Sequence, residues 1–123
     1  PIKIVVFNNS SLNFVELEMK AAGFVTYATD LHNPDFGAVA TASGLKGYRV
    51  DDSAQLEATV QEFLAHDGPA LLDVVTDRQE MSMPPEIKME QAKGFALYAI
   101  RTVLSGRGDE LLDLAKTNWR QMF

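Results

Sequence analysis

Two neighbouring asparagines are the side chains of this sequence best suited to holding an ion. Asn8 and Asn9 directly follow IKIVVF, an apolar and β-branched run that is typical of a buried strand. An asparagine amide oxygen is a neutral ligand that suits Mg²⁺ or Ca²⁺, and the nearby main-chain carbonyl of Ser11 can reach the same ion. A helix predicted after Ser11 would favour a phosphate at its amino terminus. The pair is also typical of an Asx turn or a helix cap, so both interpretations stay open at this point.

Glu18 is the second candidate for chemistry, because a helical wheel places it between two groups of apolar side chains. The two groups are Leu12, Val15, Met19 and Ala22, at helical spacing, and Phe14, Leu17 and Ala21. Glu16 and Lys20 are expected on the opposite, polar side of the helix. A carboxylate between apolar groups is a candidate for proton transfer or hydrogen bonding, and a surface glutamate beside another element is the alternative.

Strands that alternate with helices must position these side chains. The predicted strands are 2–7, 48–51 and 70–75, and the predicted helices are 12–22, 35–43, 53–65, 91–104 and 109–121. This alternation predicts right-handed βαβ units, so we expect an α/β fold with three layers (α/β/α) and a mostly parallel sheet. In such sheets ligands bind at the carboxyl ends of the strands, where Asn8 and Asn9 lie. Residues 78–85, RQEMSMPP, are predicted to form a connector without a strand.

The composition limits the classes of function. A length of 123 residues suits one domain, and a net charge of −6 argues against nucleic acid as a partner. The absence of cysteine excludes disulfides, thiolate catalysis and cysteine-ligated metals. No apolar run approaches the ~20 residues of a membrane-spanning helix. Because the chain begins at Pro1, directly before a strand, we expect it to be a piece of a longer protein.

The last fifteen residues, 109–123, form an amphipathic pattern, DELLDLAKTNWRQMF. One predicted face carries Leu111, Leu114, Ala115, Trp119 and Met122, and the polar side carries Asp113, Lys116, Asn118 and Arg120. Such a helix can lie in a membrane interface or pack on its own domain, and the pattern alone does not separate these two interpretations.

Two longer stretches resemble a known family of enzymes. VVFNNSSLNFVELEMKAAG resembles the second half of the thiamine-diphosphate motif, in which Asn-Asn follows a Gly-Asp-Gly sequence. PPEIKMEQAKGFALYAIRTVLSGRGDELLDLAKTNW is similar to the carboxyl terminus of the quinone-dependent pyruvate oxidases, also called pyruvate dehydrogenases (quinone or cytochrome). The first stretch identifies only the superfamily, whereas the second is more specific for the pyruvate oxidase branch. The resemblance implies that residues 1–123 are the carboxyl-terminal part of a thiamine-diphosphate-binding domain.

The resemblance also implies a metal site. Asn9 would give its side-chain oxygen, and Ser11 its main-chain carbonyl, to a Mg²⁺ ion that clamps the diphosphate of the cofactor. Asn8 would form the turn beside this site. Asn13 departs from the family pattern, which has glycine at that position, and the Gly-Asp-Gly half of the motif does not occur in this sequence.

By the same resemblance, three positions of the first helix would line the active centre. Phe14 and Val15 would border the space between the thiamine ring, the substrate and a flavin. Glu18 would face the active centre as a catalytic residue. Related acetolactate synthases tend to carry an amide at that position, so the carboxylate favours a pyruvate oxidase.

The implied protein is a pyruvate:quinone oxidoreductase that converts pyruvate to acetate and CO₂ with thiamine diphosphate, Mg²⁺ and FAD, the last bound mainly by a domain absent from this chain. It would be a cytoplasmic homotetramer attached to the inner face of a bacterial plasma membrane, with residues 109–123 binding lipid and a quinone accepting electrons. One alternative is an acetolactate synthase-like enzyme or a 2-oxo acid decarboxylase. Another is that the chain alone is a catalytically inactive regulatory or membrane-docking module.

Overall fold

The computed structural model describes residues 2–79 and 88–122, the last three of them without side chains. Residues 80–85 of the predicted connector therefore lie outside the described residues. The chain divides into two compact units. The first comprises Pro1–Ser10 and His32–Thr76, and the second comprises Ser11–Leu31 and Asp77–Phe123.

The elements follow the predicted alternation closely. The strands are β1 (Lys3–Asn8), β2 (Lys46–Val50) and β3 (Ala70–Val75). The helices are α1 (Asn13–Ala21), α2 (Phe36–Ala42), α3 (Leu56–Ala65), α4 (Met89–Leu104) and α5 (Gly108–Met122), and one turn of 3₁₀ helix, Ser53–Gln55, precedes α3. The strands and α2 and α3 belong to the first unit, and α1, α4 and α5 belong to the second.

The first unit contains a parallel sheet in the order β1-β3-β2. Both neighbours of β3 run parallel to it, and Ala70 pairs with Lys3 on one side and with Lys46 on the other. A central strand needs apolar residues on both of its faces, which is why the run ALLDVV forms β3. The predicted α/β class and parallel sheet are confirmed.

The two faces of this sheet are covered by different helices of the first unit. On one face α3 inserts Phe63, which packs with the buried residues Val50, Ala70 and Leu72. Side chains alternate along a strand, so Gly47 lies on the other face, under α2. A Cβ built at Gly47 would come 1.8 Å from the main-chain oxygen of Gly37 in α2, so this contact requires glycine. The first unit thus has the predicted α/β/α layers.

The second unit is an assembly of helices. Helix α1 crosses α4 at Gly94, where an added Cβ would lie 1.7 Å from the carbonyl oxygen of Ala21. Gly23, with a φ of 81°, follows the carboxyl end of α1, and its carbonyl accepts a hydrogen bond of 2.7 Å from Arg101 of α4. Tyr98 of α4 is buried in this unit.

Three details of the packing differ from the sequence pattern. The predicted helix 53–65 begins with one turn of 3₁₀ helix, and the side chain of Asp52 caps this turn by accepting from the main-chain N–H of Ala54. In α3 the structure buries Phe63 but leaves Leu64 63% exposed. In β1 Val5 and Phe7 are exposed, although the apolar run predicted a strand covered on both faces.

Within the described ranges, no helix is both long and apolar enough to cross a membrane.

Candidate functional site

Asn8 is held by hydrogen bonds at both ends of its amide. It lies at the end of β1 and is buried. Its Nδ2 donates to Oδ2 of Asp73, at 3.5 Å, and its Oδ1 accepts from Nδ2 of Asn33, at 2.9 Å. These bonds lie within the first unit and fix the amide of Asn8 at the end of the strand, and the turn-forming role expected for Asn8 stays a prediction.

Asp73 is the residue of this cluster that sequence reasoning missed. Its side chain is 0% exposed, and its Oδ2 accepts hydrogen bonds from Arg49, at 2.6 Å, and from the main-chain N–H of Phe36, at 3.1 Å. Its Oδ1 is buried with no hydrogen-bond partner among the residues that the structure describes. The signal for this residue is the single charge in the run ALLDVV, because a buried carboxylate requires partners such as an arginine.

Asn9 and Ser11 flank a residue with an unusual backbone conformation. Ser10 has a φ of 53°, in the left-handed region that residues with a side chain rarely adopt. Asn9 is half-buried at the end of the first unit, and Ser11 is buried at the start of the second. An amide oxygen and a main-chain carbonyl are neutral oxygen ligands, so the donor types at these positions fit Mg²⁺. Among residues 2–79 and 88–122, no group of three or more His, Asp or Glu side chains is placed to hold a metal ion.

Ser11 is bound to a buried carboxylate in the second unit. Its hydroxyl donates to Oε1 of Glu16 at 2.7 Å. The same oxygen accepts from Thr29 Oγ1, at 2.8 Å, and from Arg78 Nη2, at 2.9 Å. Lys20 Nζ lies 3.3 Å from the other oxygen, Oε2. Glu16 is only 1% exposed and Lys20 is equally buried, so the expectation that both face a polar, outer side of α1 is wrong.

These partners change the ionisation of Glu16. Burial alone would raise the pKa of this carboxyl, but hydrogen bonds from Ser11, Thr29 and Arg78, together with the charge of Lys20, lower it from 4.5 to about 2. The carboxylate is therefore charged at every physiological pH. A helical wheel could not reveal this, because Thr29 and Arg78 come from distant parts of the sequence.

The residues expected to line an active centre share an exposed face of α1. Phe14 is 75% exposed, and Val15 and Glu18 are also exposed. Glu18 further lines an open groove of about 590 Å³ that α1 forms with Glu90, Lys93 and Leu97 of α4. A large apolar side chain as exposed as Phe14 is available to contact another part of a protein or a ligand. The roles expected for these three residues stay predictions.

The last helix places its side chains differently from its sequence pattern. Asn118, expected on the polar side, is buried, and its Nδ2 donates to the main-chain oxygens of Gln79, at 2.7 Å, and Leu114, at 2.8 Å. Trp119 and Leu112 are exposed, with Trp119 at 61%. Leu114 is half-buried and Ala115 is exposed, so the apolar residues of the pattern are not buried together. The side chain of Met122 lies outside the described residues.

Comparison with known proteins identifies relatives of this chain. Residues 1–74 match the family model described as thiamine pyrophosphate enzyme, C-terminal TPP binding domain. The Bacillus subtilis protein YdaP, whose name describes it as thiamine pyrophosphate-containing, is 33% identical over 117 residues, which cover 95% of this chain and 20% of that protein.

Acetolactate synthases are also similar to this chain, over a shorter stretch. The catalytic subunit of the mitochondrial enzyme of Saccharomyces cerevisiae is 36% identical over 85 residues, which cover 68% of this chain and 12% of that subunit. The large subunit of isozyme 2 of Escherichia coli is 36% identical over 88 residues, with 68% of this chain and 16% of that subunit covered. The chain thus spans about a fifth or less of the length of these relatives.

Proposed function

This chain belongs to the thiamine pyrophosphate enzymes, and we propose that the enzyme of which it is a part is a pyruvate:quinone oxidoreductase. The chain forms part of the C-terminal TPP-binding domain of that enzyme. The complete enzyme would convert pyruvate to acetate and CO₂ and pass two electrons through FAD to a membrane quinone. The family match over residues 1–74, which include the Asn8-Asn9 pair, supports the thiamine-diphosphate part of the proposal. The oxidase part rests on the resemblance of residues 84–119 to the quinone-dependent pyruvate oxidases.

We propose that this chain contributes two oxygen ligands to a Mg²⁺ ion that holds the cofactor diphosphate. Asn9 supplies its side-chain oxygen, and Ser11 supplies its main-chain carbonyl. Asn8 takes no part as a ligand, because Asp73 and Asn33 occupy both ends of its amide. Further metal ligands come from a part of the enzyme outside this chain. When bound, thiamine diphosphate would supply a nucleophilic carbon for the chemistry at the keto group of the substrate.

The exposed face of α1 would form a wall of the substrate space. Phe14 and Val15 contribute apolar surface that excludes water from the reacting groups, which strengthens electrostatic interactions there. Glu18 orients the substrate by hydrogen bonding and holds or transfers a proton through its carboxyl oxygens. The exposure of all three side chains supports this role, since each is free to contact groups from the rest of the enzyme.

The pyruvate oxidase branch is proposed from the resemblance of residues 84–119 to the carboxyl terminus of the quinone-dependent pyruvate oxidases. The match to YdaP extends over 117 of the 123 residues and so includes most of α4 and α5, whereas the matches to the acetolactate synthases cover 68% of the chain. The carboxylate of Glu18 is a second argument for this branch. The second candidate function is acetolactate synthesis, which the 36% identity to the yeast and Escherichia coli enzymes favours.

A single substitution tests the metal site. In the complete protein that carries this chain, we expect Asn9→Ala to weaken the binding of Mg²⁺ and thiamine diphosphate, measured by isothermal titration calorimetry. Glu62→Gln is the control, because Glu62 is exposed on α3 and far along the sequence from Asn9. An unchanged cofactor affinity in the Asn9→Ala protein would contradict the proposed role.

The products separate the two candidate reactions. Incubation with pyruvate and an artificial quinone is expected to give acetate, CO₂ and the reduced quinone. Formation of acetolactate without reduction of the quinone would replace the oxidase proposal with the synthase. Glu18→Gln is expected to lower the turnover number by about 100-fold, the usual lower range for losing a proton-transferring group, while leaving cofactor affinity intact.

We further propose that α5 binds a lipid surface. Leu112 and the Trp119 ring are exposed on this helix, and an indole ring is suited to the membrane interface. Asp109 and Glu110 in the first turn would weaken binding to anionic lipid, so the apolar side chains must provide the affinity. Flotation with liposomes, with and without residues 109–123, measures this, and equal flotation of both proteins would contradict it.

A further inference from the structure

We propose that Glu16 is a positioning residue that fixes the direction of the Ser11 carbonyl for metal coordination, an inference that rests on the proposed function. Glu16 itself would not touch the ion. It would act by holding the two residues that set the orientation of one peptide group.

The peptide group in question joins Ser11 to Leu12. Its N–H, on Leu12, donates to the main-chain oxygen of Thr29 at 2.9 Å. A peptide group is planar and trans, so its carbonyl oxygen points away from its N–H. The bond from Leu12 to Thr29 therefore determines the direction of the Ser11 carbonyl oxygen. Ser11 also forms an isolated antiparallel bridge with Asp30, which ties the same two segments together.

A single oxygen of Glu16 binds the two residues that flank this peptide group, Ser11 and Thr29. Its Oε1 accepts from the hydroxyl of Ser11 at 2.7 Å and from the hydroxyl of Thr29 at 2.8 Å. One hydroxyl belongs to the residue whose carbonyl is the proposed ligand, and the other belongs to the residue that binds the adjacent N–H. Moving the carboxylate would thus remove the side-chain bonds that hold both residues and leave the peptide group fixed only by the main-chain bond from Leu12 to Thr29.

The carboxylate is in turn fixed by two cations. Arg78 donates to Oε1 at 2.9 Å, and Lys20 lies 3.3 Å from Oε2. Lys20 also lies 5.8 Å from the centre of the Tyr98 ring, an aromatic face that favours its charge. A carboxylate held by opposite charges on both oxygens cannot rotate freely. Outer partners that orient a ligand typically change metal affinity by about 10- to 100-fold when they are removed.

Three variants test the inference in the complete protein, with Mn²⁺ as the probe in the presence of thiamine diphosphate. Free Mn²⁺ is measured by electron paramagnetic resonance. Glu16→Gln and Ser11→Ala are each expected to weaken Mn²⁺ binding by about 10-fold. Ser11→Ala keeps the main-chain carbonyl, so a loss of affinity reports its position rather than its absence. The double variant is expected to bind Mn²⁺ no more weakly than whichever single variant binds it less tightly, because both substitutions act on the hydrogen bond between Ser11 and Glu16.

A second readout requires no metal. In the metal-free protein, we expect Glu16→Gln to speed hydrogen exchange at the Leu12 amide, because that amide is ordered through Thr29. If Glu16→Gln does not fold, Ser11→Ala and Thr29→Val replace it in this experiment. Each of them removes one hydroxyl and leaves the carboxylate in place. Val60→Ala, which removes apolar contact in the first unit, controls for general destabilisation.

The outcomes separate this inference from the proposed function. If Asn9→Ala weakens Mn²⁺ binding but Glu16→Gln and Ser11→Ala do not, the positioning role of Glu16 is overturned and the metal site stands. If Asn9→Ala also has no effect, the proposed function itself fails. The inference would also be overturned if the losses of Mn²⁺ affinity were strictly additive in the double variant, or if Val60→Ala lost as much Mn²⁺ affinity as Glu16→Gln.

Discussion

Protonation of Glu16 should destabilise the folded chain in acid by a measurable amount. The pKa of this carboxyl is lowered from 4.5 to about 2 in the folded protein, which corresponds to about 3 kcal/mol of stability. Because the folded pKa lies below the unfolded one, this contribution is fully present above about pH 4.5. It is lost as the pH falls from about 4.5 to about 2.

The contribution of Glu16 to the pH dependence of stability can be separated from that of the charged groups around it. The charge of Arg78 does not change in this pH range, because an arginine side chain is effectively always protonated. Asp30, which also pairs with Arg78, is two-thirds exposed and is screened by solvent. The buried carboxylate of Glu16 is therefore the group of this cluster expected to dominate the pH dependence.

The assay is urea unfolding of the 123-residue chain, followed by circular dichroism at pH 7, 4.5 and 3. Glu16→Gln removes the titrating group, so the unfolding free energy of this variant should fall less between pH 7 and pH 3 than that of the unmodified chain. Glu18→Gln is the matched control, since Glu18 lies on the same helix but is exposed, and it should follow the unmodified chain. Equal pH dependence in all three proteins would refute the reasoning.

Four further substitutions test the packing. Phe63→Ala should lower the unfolding free energy by about 3–5 kcal/mol, whereas Leu64→Ala, at an exposed site, should cost less than about 1 kcal/mol; urea unfolding measures both. Gly94→Ala should lower the melting temperature, because the added Cβ would clash with the main chain of α1. A variant that melts at the same temperature as the unmodified chain would contradict the close crossing of α1 and α4 at this residue. Asn118→Ala leaves the carbonyl oxygen of Gln79 without this donor, in a partly buried contact, and should cost about 1–3 kcal/mol. Thermal unfolding measures this cost, and no loss of stability would show that water replaces the amide.

The order and type of the elements could be predicted from the sequence because they depend on local patterns. The bounds of β3 agree with the predicted strand, 70–75, and α4 ends at Leu104 as expected. Apolar runs of six residues and apolar spacing of three and four residues report directly on strands and helices. Turn glycines at the ends of helices, such as Gly23, add a second local signal.

The burial of polar side chains could not be predicted in this way. Glu16 and Asn118 lie on what a helical wheel marks as polar faces, yet both are buried. Their partners, Arg78 for Glu16 and Gln79 for Asn118, are 62 and 39 residues away in the sequence. A wheel considers one helix at a time, so it cannot include hydrogen bonds that form only when distant segments meet. The candidate site shows the same limit, since the position of Asn8 at the end of β1 could be predicted from the sequence and its bond to Asp73 could not.

The exposed strand β1 has a consequence for work with this chain by itself. In the described part of the chain β1 pairs with β3 only, so the main-chain groups of its other edge remain available to a further strand. The exposed side chains of Val5 and Phe7 lie on this strand. An open edge bordered by apolar residues is a template for pairing between molecules. Concentrated solutions of the 123-residue chain are therefore expected to self-associate through β1, and dilute protein is the better sample for the unfolding measurements.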